Sequence, residues 1–178
     1  YEILRCLVGS EMCIRDRDYP DASVVFIGPC ASKKLEASRR TVRSDVDFVI
    51  TFEELAGMFE AKGLLPEAVE AHDHMNDATS AGRGYGVAGG VASAIESCIR
   101  EYYPDVEVHI EHAESLTECK KMLMLAKAGK KNGCLIEGMA CPGGCVAGAG
   151  TNIPIPQAVK EVTSFKNAAE EKLPSKED

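Results

Sequence analysis

Four short segments rich in apolar and β-branched residues predict strands, at residues 23–27, 46–51, 106–113 and 134–139. The first, SVVFI, is a continuous apolar run between turn residues, which is typical of a strand buried on both faces. Helical patterns between and after these strands cover the segments 52–63, 92–103, 116–130 and 157–172. For the first helix, Thr51 is the predicted N-cap, Glu54 completes a capping box and Gly63 ends it.

Strands that alternate with helices predict an α/β fold, with a mainly parallel sheet, flanking helices and right-handed crossovers. Residues 66–83 show no clear period, so we expect an irregular loop there. The length of 178 residues fits one domain, which we place at 18–156, followed by a C-terminal helix and a frayed tail at 157–178. In parallel sheets, sites form at the carboxyl ends of the strands.

The first 17 residues have neither helical nor strand periodicity. Residues 1–17, and the stretch CLVGSEMCIRDR in particular, resemble a translated sequencing-adapter read-through. We therefore expect the natural sequence to start near Asp18, in mid-protein, and we leave Cys6 and Cys13 out of any site.

Charge and apolar content exclude several classes of protein. Lys and Arg number 20 against 28 Asp and Glu, a net charge of -8, which argues against a surface for nucleic acid or anionic membrane. No apolar run reaches the roughly 18 residues of a membrane span, and Glu2, Arg5 and Glu11 interrupt any signal-peptide core. We therefore expect a cytoplasmic protein without a membrane span.

Eight cysteines are the unusual feature of the composition. A disulfide framework and a metal site are the two common explanations, and a reducing cytosol favours metal. Cys30 follows the first strand in a Gly-Pro-Cys loop, and Cys141 and Cys145 flank Pro-Gly-Gly after the fourth. If both strands belong to one parallel sheet, these three thiols converge at one edge. Spacing alone leaves zinc, an iron–sulfur cluster and a turn of free thiols as alternatives.

The remaining cysteines and the histidines are predicted to be structural. Cys98, Cys119 and Cys134 fall in or beside predicted elements, where free thiols pack as small apolar groups. The pairs His72/His74 and His109/His112 lack a carboxylate framework for metal binding, so we expect them to be exposed.

A glycine-rich segment suggests a different kind of site. Residues Gly84–Gly89 match the dinucleotide-binding pattern G-x-G-x-x-G and open a helix, with Glu111 about 22 residues further on. That pattern should directly follow a strand, whereas here it follows a polar segment. The alternative is that these glycines allow a tight loop and close helix packing.

Three segments together are recognisable. PCASKKLEA (29–37) and EGMACPGGCVAGAG (137–150) resemble the second and third signatures of the catalytic domain of [FeFe]-hydrogenases, the C-terminal domain of the iron-only hydrogenase large subunit. AGGV at 88–91 resembles the family's helix start between these signatures. The resemblance runs in the family's order from about Ser23 to Gly150.

The resemblance implies an H-cluster, which joins a [4Fe-4S] cubane to a two-iron centre carrying CO, cyanide and a bridging azadithiolate. Cys30, Cys141 and Cys145 would ligate the cubane, and Cys145 would also bridge to the two-iron centre. Lys33 would bond a cyanide ligand, and Pro29 and Met139 would line the cofactor. The implied reaction is reversible oxidation of H2 to protons and electrons, exchanged with a redox partner such as ferredoxin.

The sequence also departs from the family. No counterpart of the first signature, which supplies the fourth cubane cysteine and a proton-relay cysteine, precedes Cys30, so we expect this chain alone to hold the H-cluster poorly and to be inactive. Gly28 stands where many active enzymes have methionine, and the third signature continues AGAGTN instead of GGGQP. An alternative is a non-catalytic iron–sulfur member of the family with a sensing or cluster-assembly role.

Overall fold

The structure is a computed structural model that describes residues 21, 23–39, 46–70 and 78–174. The predictions for residues 1–17, for His72 and His74, and for the last four residues of the tail lie outside these residues. The chain divides into two compact units, of which the first comprises Tyr1–Ala68 with Ala149–Asn152 and the second Val69–Gly148 with Ile153–Asp178.

The first unit is a β-α-β-α arrangement. Its elements are β1 (Val25–Gly28), α1 (Ser32–Ser38), β2 (Phe48–Thr51), α2 (Phe52–Ala61) and a 3-10 turn (Pro66–Ala68). The two strands pair in parallel, from Val25 opposite Phe48 to Gly28 opposite Thr51. Both predicted strands form, but the prediction that they are buried on both faces is wrong, because Val25, Ile27 and Phe48 are exposed. Helix α1 was not predicted because its sequence, SKKLEAS, carries no apolar stripe.

The second unit contains a second parallel pair of strands with helices around it. Its elements are α3 (Ser80–Arg83), α4 (Gly90–Tyr102), β3 (His109–Glu114), α5 (Leu116–Lys127), β4 (Cys134–Met139), a 3-10 turn (Cys145–Ala147) and α6 (Ile155–Asn167). The strands run in register from His109 opposite Cys134 to Glu114 opposite Met139. The prediction of an irregular loop over 66–83 is wrong at both ends, where the 3-10 turn and α3 form.

The predicted α/β class with parallel strands is confirmed. The described strands, however, form two separate two-stranded sheets, and the loops of Cys30 and Cys141 extend from different sheets. Among the residues that the structure describes, the buried apolar side chains are small and lie in the second unit: Ala81, Ala92, Ala94, Ala113, Val146, Ala158 and Ala169. None of the described helices is long and apolar enough to cross a membrane.

The predicted capping box at the start of α2 is confirmed. The Glu54 N–H donates to Thr51 Oγ1 at 3.2 Å, and the Thr51 N–H donates to the Glu54 carboxylate at 2.9 Å. Lys34 Nζ also donates to this carboxylate at 2.7 Å. The hydrogen bond from Lys34, and then the one from the Thr51 N–H, lower the pKa of Glu54 from 4.5 to about 2.

Glu54→Gln should remove a pH-dependent part of the stability. Because the pKa of folded Glu54 is about 2 against 4.5 ordinarily, its stabilisation is complete above pH 4.5 and is lost as the pH falls through 2. We expect the free energy of unfolding of Glu54→Gln to vary less over this interval than that of the wild type, as measured by urea unfolding. Glu53→Gln, in the same turn but outside the capping box, is the control and should keep the wild-type slope.

Candidate metal centre

The loop that carries Cys30 is held by hydrogen bonds to a segment much later in the sequence. Cys30 is half-buried, and its carbonyl accepts the Lys33 N–H at 3.3 Å as α1 begins. The carbonyl of Pro29 accepts the Gly150 N–H at 2.9 Å, and the Gly150 carbonyl accepts the Glu53 N–H at 3.2 Å. The segment Ala149–Asn152 therefore fastens the Cys30 loop to the start of α2.

Only glycine fits at position 150. A Cβ placed there would lie 2.5 Å from Thr51 Cβ and 3.3 Å from the Pro29 carbonyl oxygen. Thr51 is buried and is the N-cap of α2. The capping box thus fixes the residue against which Gly150 packs, and through it the loop of Cys30.

Lys33 lies on α1, three residues after Cys30. Its Nζ pairs with the Glu36 carboxylate at 2.9 Å and lies 5.8 Å from the centre of the Phe26 ring. The side chain is 41% exposed, so the ammonium group can exchange its partner without unfolding the helix. Its predicted role toward a cyanide ligand stays a prediction.

Cys141 and Cys145 bracket a tight turn directly after β4. Gly143 and Gly144 have φ of 92° and 93°, a region that favours glycine, and the Gly144 N–H donates to the Cys141 carbonyl at 3.0 Å. Cys141 is half-buried, Cys145 is exposed, and neither is in a disulfide. Met139, the last residue of β4, is also half-buried.

The glycine-rich segment Gly84–Gly89, which we call the platform, packs against this turn. The Ala88 N–H donates to the Gly143 carbonyl at 3.1 Å, and the Val146 N–H donates to the Gly86 carbonyl at 3.0 Å. A Cβ on Gly144 would lie 2.4 Å from the Ala88 nitrogen. The two backbones therefore touch, and a side chain at position 144 would separate them.

Glu137, which sequence reasoning missed, joins this platform to β4. Its carboxylate is buried and accepts the N–H groups of Gly89 at 2.5 Å, and of Val91 and Ala92 at 3.1 Å each. These N–H groups belong to the first turn of α4, where helical donors lack partners and the helix dipole favours negative charge. The available signal was an acidic residue inside the otherwise apolar strand sequence CLIEGM.

This arrangement argues against dinucleotide binding through Gly84–Gly89. The segment follows the short helix α3 and not a strand, so the context of the fingerprint is missing. The N-terminus of α4, where a pyrophosphate would bind, is already bonded to the Glu137 carboxylate. The contacts support the alternative, which is that these glycines allow a tight loop and close helix packing.

The other cysteines and histidines differ in their surroundings. Cys98, Cys119 and Cys134 are all half-buried, and Cys119 Sγ lies 3.7 Å from the Ala113 carbonyl oxygen. His109 and His112 are both exposed, as predicted, and His112 Nδ1 also lies 3.3 Å from the Glu137 carboxylate. Within either unit, the described residues include no group of three His, Cys, Asp or Glu side chains that could hold a metal ion.

The predicted ligands nevertheless suit an iron–sulfur cluster in their chemistry. All three are thiols at loops that leave the carboxyl ends of parallel strands, with glycines where the backbone must approach closely. Cys30 belongs to the first unit and Cys141 and Cys145 to the second. A cubane is normally held by four thiolates, which is one more than the three predicted ligands.

Comparison with known proteins identifies the family. Residues 9–149 match the family described as the C-terminal domain of the iron only hydrogenase large subunit. The chain belongs to this family. The match begins within residues 1–17, whose origin stays a prediction.

Curated relatives of this iron hydrogenase family member are much longer than the chain. The periplasmic [Fe] hydrogenase large subunit of Nitratidesulfovibrio vulgaris is 30% identical over 71% of this chain and 38% of its own length. Iron hydrogenase 1 of Clostridium pasteurianum is 29% identical over 82% of this chain and 31% of its own length. The chain thus spans less than two fifths of either relative.

Solved structures agree on the fold. A variant of the [FeFe]-hydrogenase HydA1 from Chlamydomonas reinhardtii has a TM-score of 0.58 and 21% identity, covering 97% of this chain and 59% of that one. A second, apo variant of the same enzyme has a TM-score of 0.59 and 21% identity, covering 95% and 60% of the two chains. At this identity the likeness concerns the fold alone.

Gly144→Ala tests the close approach of the cysteine turn to its platform. Gly133 has a similar positive φ of 74°, but a Cβ there would have no atom within 4 Å, so Gly133→Ala measures the backbone strain alone. We expect Gly144→Ala to lower the free energy of unfolding by at least about 2 kcal/mol more than Gly133→Ala, because overpacking adds to the strain and because the Gly144 backbone, with ψ -165°, lies in a region that is essentially restricted to glycine. Equal losses in urea unfolding would contradict the contact.

Glu137→Ala should destabilise the second unit by about 3 kcal/mol, because it leaves three buried or half-buried N–H groups of α4 without their acceptor. The control is Glu107→Ala, which removes an exposed carboxylate that lies 3.8 Å from His109 and should cost less than about 1 kcal/mol. Urea unfolding followed by circular dichroism compares them, and similar small losses would show that Glu137 is dispensable.

Proposed function

We propose that this chain supplies part of the H-cluster site of an [FeFe]-hydrogenase, which catalyses the reversible oxidation of H2 to two protons and two electrons. In this proposal Cys30, Cys141 and Cys145 ligate the [4Fe-4S] cubane, and Cys145 also bridges to the two-iron centre. The observation that carries it is the Cys141–Cys145 turn: two thiols on a positive-φ glycine turn at the end of a parallel strand, inside the family match.

The path of the chain supports the inclusion of Cys30. The segment Ala149–Asn152, which holds the Cys30 loop through Pro29, follows Cys145 in the sequence after three residues. Gly150, the last residue of the third signature, donates its N–H to Pro29 of the second signature, so a hydrogen bond joins the two signatures. In both loops, hydrogen bonds hold the backbone that carries the thiol, as a cluster ligand requires.

The cofactor, when bound, supplies the redox chemistry and the site for H2, while the protein supplies ligands, orientation and exclusion of water. Lys33 is proposed to donate to a cyanide ligand, and its ammonium group has three N–H donors, so it can do so beside the Glu36 carboxylate that it contacts at 2.9 Å. Pro29 and Met139 are proposed to line the cofactor. Electrons are proposed to pass to a redox partner such as ferredoxin, in the cytoplasm.

One observation favours a non-catalytic family member, with a sensing or cluster-assembly role, as the second candidate. Gly28 stands where many active enzymes have methionine, and a Cβ there would lie 2.9 Å from the Phe26 ring. The ring thus occupies the space that a side chain at position 28 would enter. Without a side chain at position 28, the two-iron site would be less enclosed and turnover would be lower.

Cysteine substitutions test the ligand set. The chain is reconstituted anaerobically with iron and sulfide, and iron per chain and the Mössbauer spectrum are measured. We expect Cys30→Ser, Cys141→Ser and Cys145→Ser each to lower the bound iron at least about twofold, because a cubane depends on its thiolates. Cys98→Ser, a thiol in helix α4, is the matched control and should bind as the wild type does. Full binding by the triple variant would overturn the assignment.

Hydrogen evolution separates the two candidate functions. Because this chain alone is expected to be inactive, the product of the complete gene and its Cys145→Ala variant are matured with a synthetic two-iron complex and assayed with a chemical reductant. Evolution by the wild type but not by Cys145→Ala supports the hydrogenase. A two-iron centre that binds without turnover supports the non-catalytic candidate, and evolution that persists in Cys145→Ala contradicts the role of this thiol.

A further inference from the structure

A carboxylate on β3, the strand that pairs with β4, accepts a hydrogen bond from the turn between Cys141 and Cys145. Glu114 is the last residue of β3, and its side chain accepts the Gly143 N–H at 2.8 Å. Gly143 lies midway between Cys141 and Cys145 in the sequence. Glu114 therefore bonds the middle of the segment that connects the two thiols of the turn.

The backbone next to Glu114 adopts a conformation that disfavours side chains. Ser115 has φ 126° and ψ 157°, which is a region occupied almost only by glycine, and it is the one non-glycine with positive φ among the described residues. Strain of this kind persists only where the surroundings impose it, and it concentrates at functional sites.

Three hydrogen bonds impose this conformation. The Ser115 N–H donates to the Met139 carbonyl at 2.8 Å, and Ser115 Oγ accepts the Glu118 N–H at 3.2 Å. The Glu114 N–H donates to the Glu118 carboxylate at 2.9 Å. The end of β3 is thus locked to the end of β4 and to the start of α5, with the Glu114 side chain directed at the cysteine turn.

We propose that Glu114 is a positioning residue for the Cys141–Cys145 turn and that its negative charge lowers the reduction potential of the cluster bound there. This inference rests on the proposed function. A negative charge beside the thiolates disfavours the addition of an electron, and an N–H bonded to a carboxylate is not available to a cluster sulfur; charge and hydrogen bonds to sulfur both set cluster potentials.

The positioning half of the proposal is tested without iron. Hydrogen exchange of the Gly143 amide, measured by NMR on the full chain, should be roughly tenfold faster in Glu114→Ala than in the wild type, because a charge-assisted hydrogen bond is lost. Glu114→Gln keeps an acceptor oxygen and should retain most of the protection. Unchanged exchange in Glu114→Ala would overturn the proposal.

The electrostatic half is tested on the chain reconstituted with iron and sulfide, by redox titration followed by EPR. We expect Glu114→Gln and Glu114→Ala both to shift the midpoint potential in the positive direction, and the shift to shrink as salt is added. Glu101→Gln removes the same charge near the other end of the 13-residue helix α4, roughly 17 Å from its start, and should leave the potential unchanged.

The two arms separate failure of this inference from failure of the proposed function. A cluster that assembles but has the same potential in Glu114→Gln and in the wild type would overturn the role of the charge. If no cluster assembles even in the product of the complete gene, the proposed function fails, and the exchange of the Gly143 amide still decides whether Glu114 positions the turn.

Discussion

The second unit depends on one buried carboxylate at the start of a helix. Glu137 takes three N–H groups of the first turn of α4 as donors, and His112 adds a fourth contact at 3.3 Å. A carboxylate is costly to bury unless its oxygens are bonded, and the first turn of a helix offers donors that have no helical partner. The carboxylate and the N–H groups therefore satisfy each other's hydrogen bonds, and β4, which leads into the cysteine turn, is fixed to α4.

The positions of the thiols follow from that attachment and from glycine. Once β4 is fixed to α4, the segment before α4 lies against the turn after β4, and the backbones approach until the Ala88 N–H reaches the Gly143 carbonyl at 3.1 Å. The same constraint operates at Gly150 beside Thr51 in the first unit. In both places the chain positions a cysteine loop by backbone contact, which varies less in geometry than contact between long side chains.

Local signals made part of this predictable. The capping box of Thr51 and Glu54, the strand before each cysteine loop and the glycines of the turn are all encoded within a few residues, and the structure contains them. The roles of Glu137 and Glu114 depend on partners that lie 45 to 48 and 29 residues away in the sequence. No periodicity reveals such pairs, and the division of the strands into two sheets is of the same long-range kind.

The glycine-rich segment shows why a motif has to be judged by its surroundings. The pattern G-x-G-x-x-G brings backbone N–H groups to a helix start, and that start binds anions whatever their source. In a dinucleotide site the anion is a pyrophosphate, whereas here it is the carboxylate of Glu137, three residues beyond the first residue of its own strand. The same local physics that holds a ligand elsewhere is used in this chain to hold the strand that leads to Cys141.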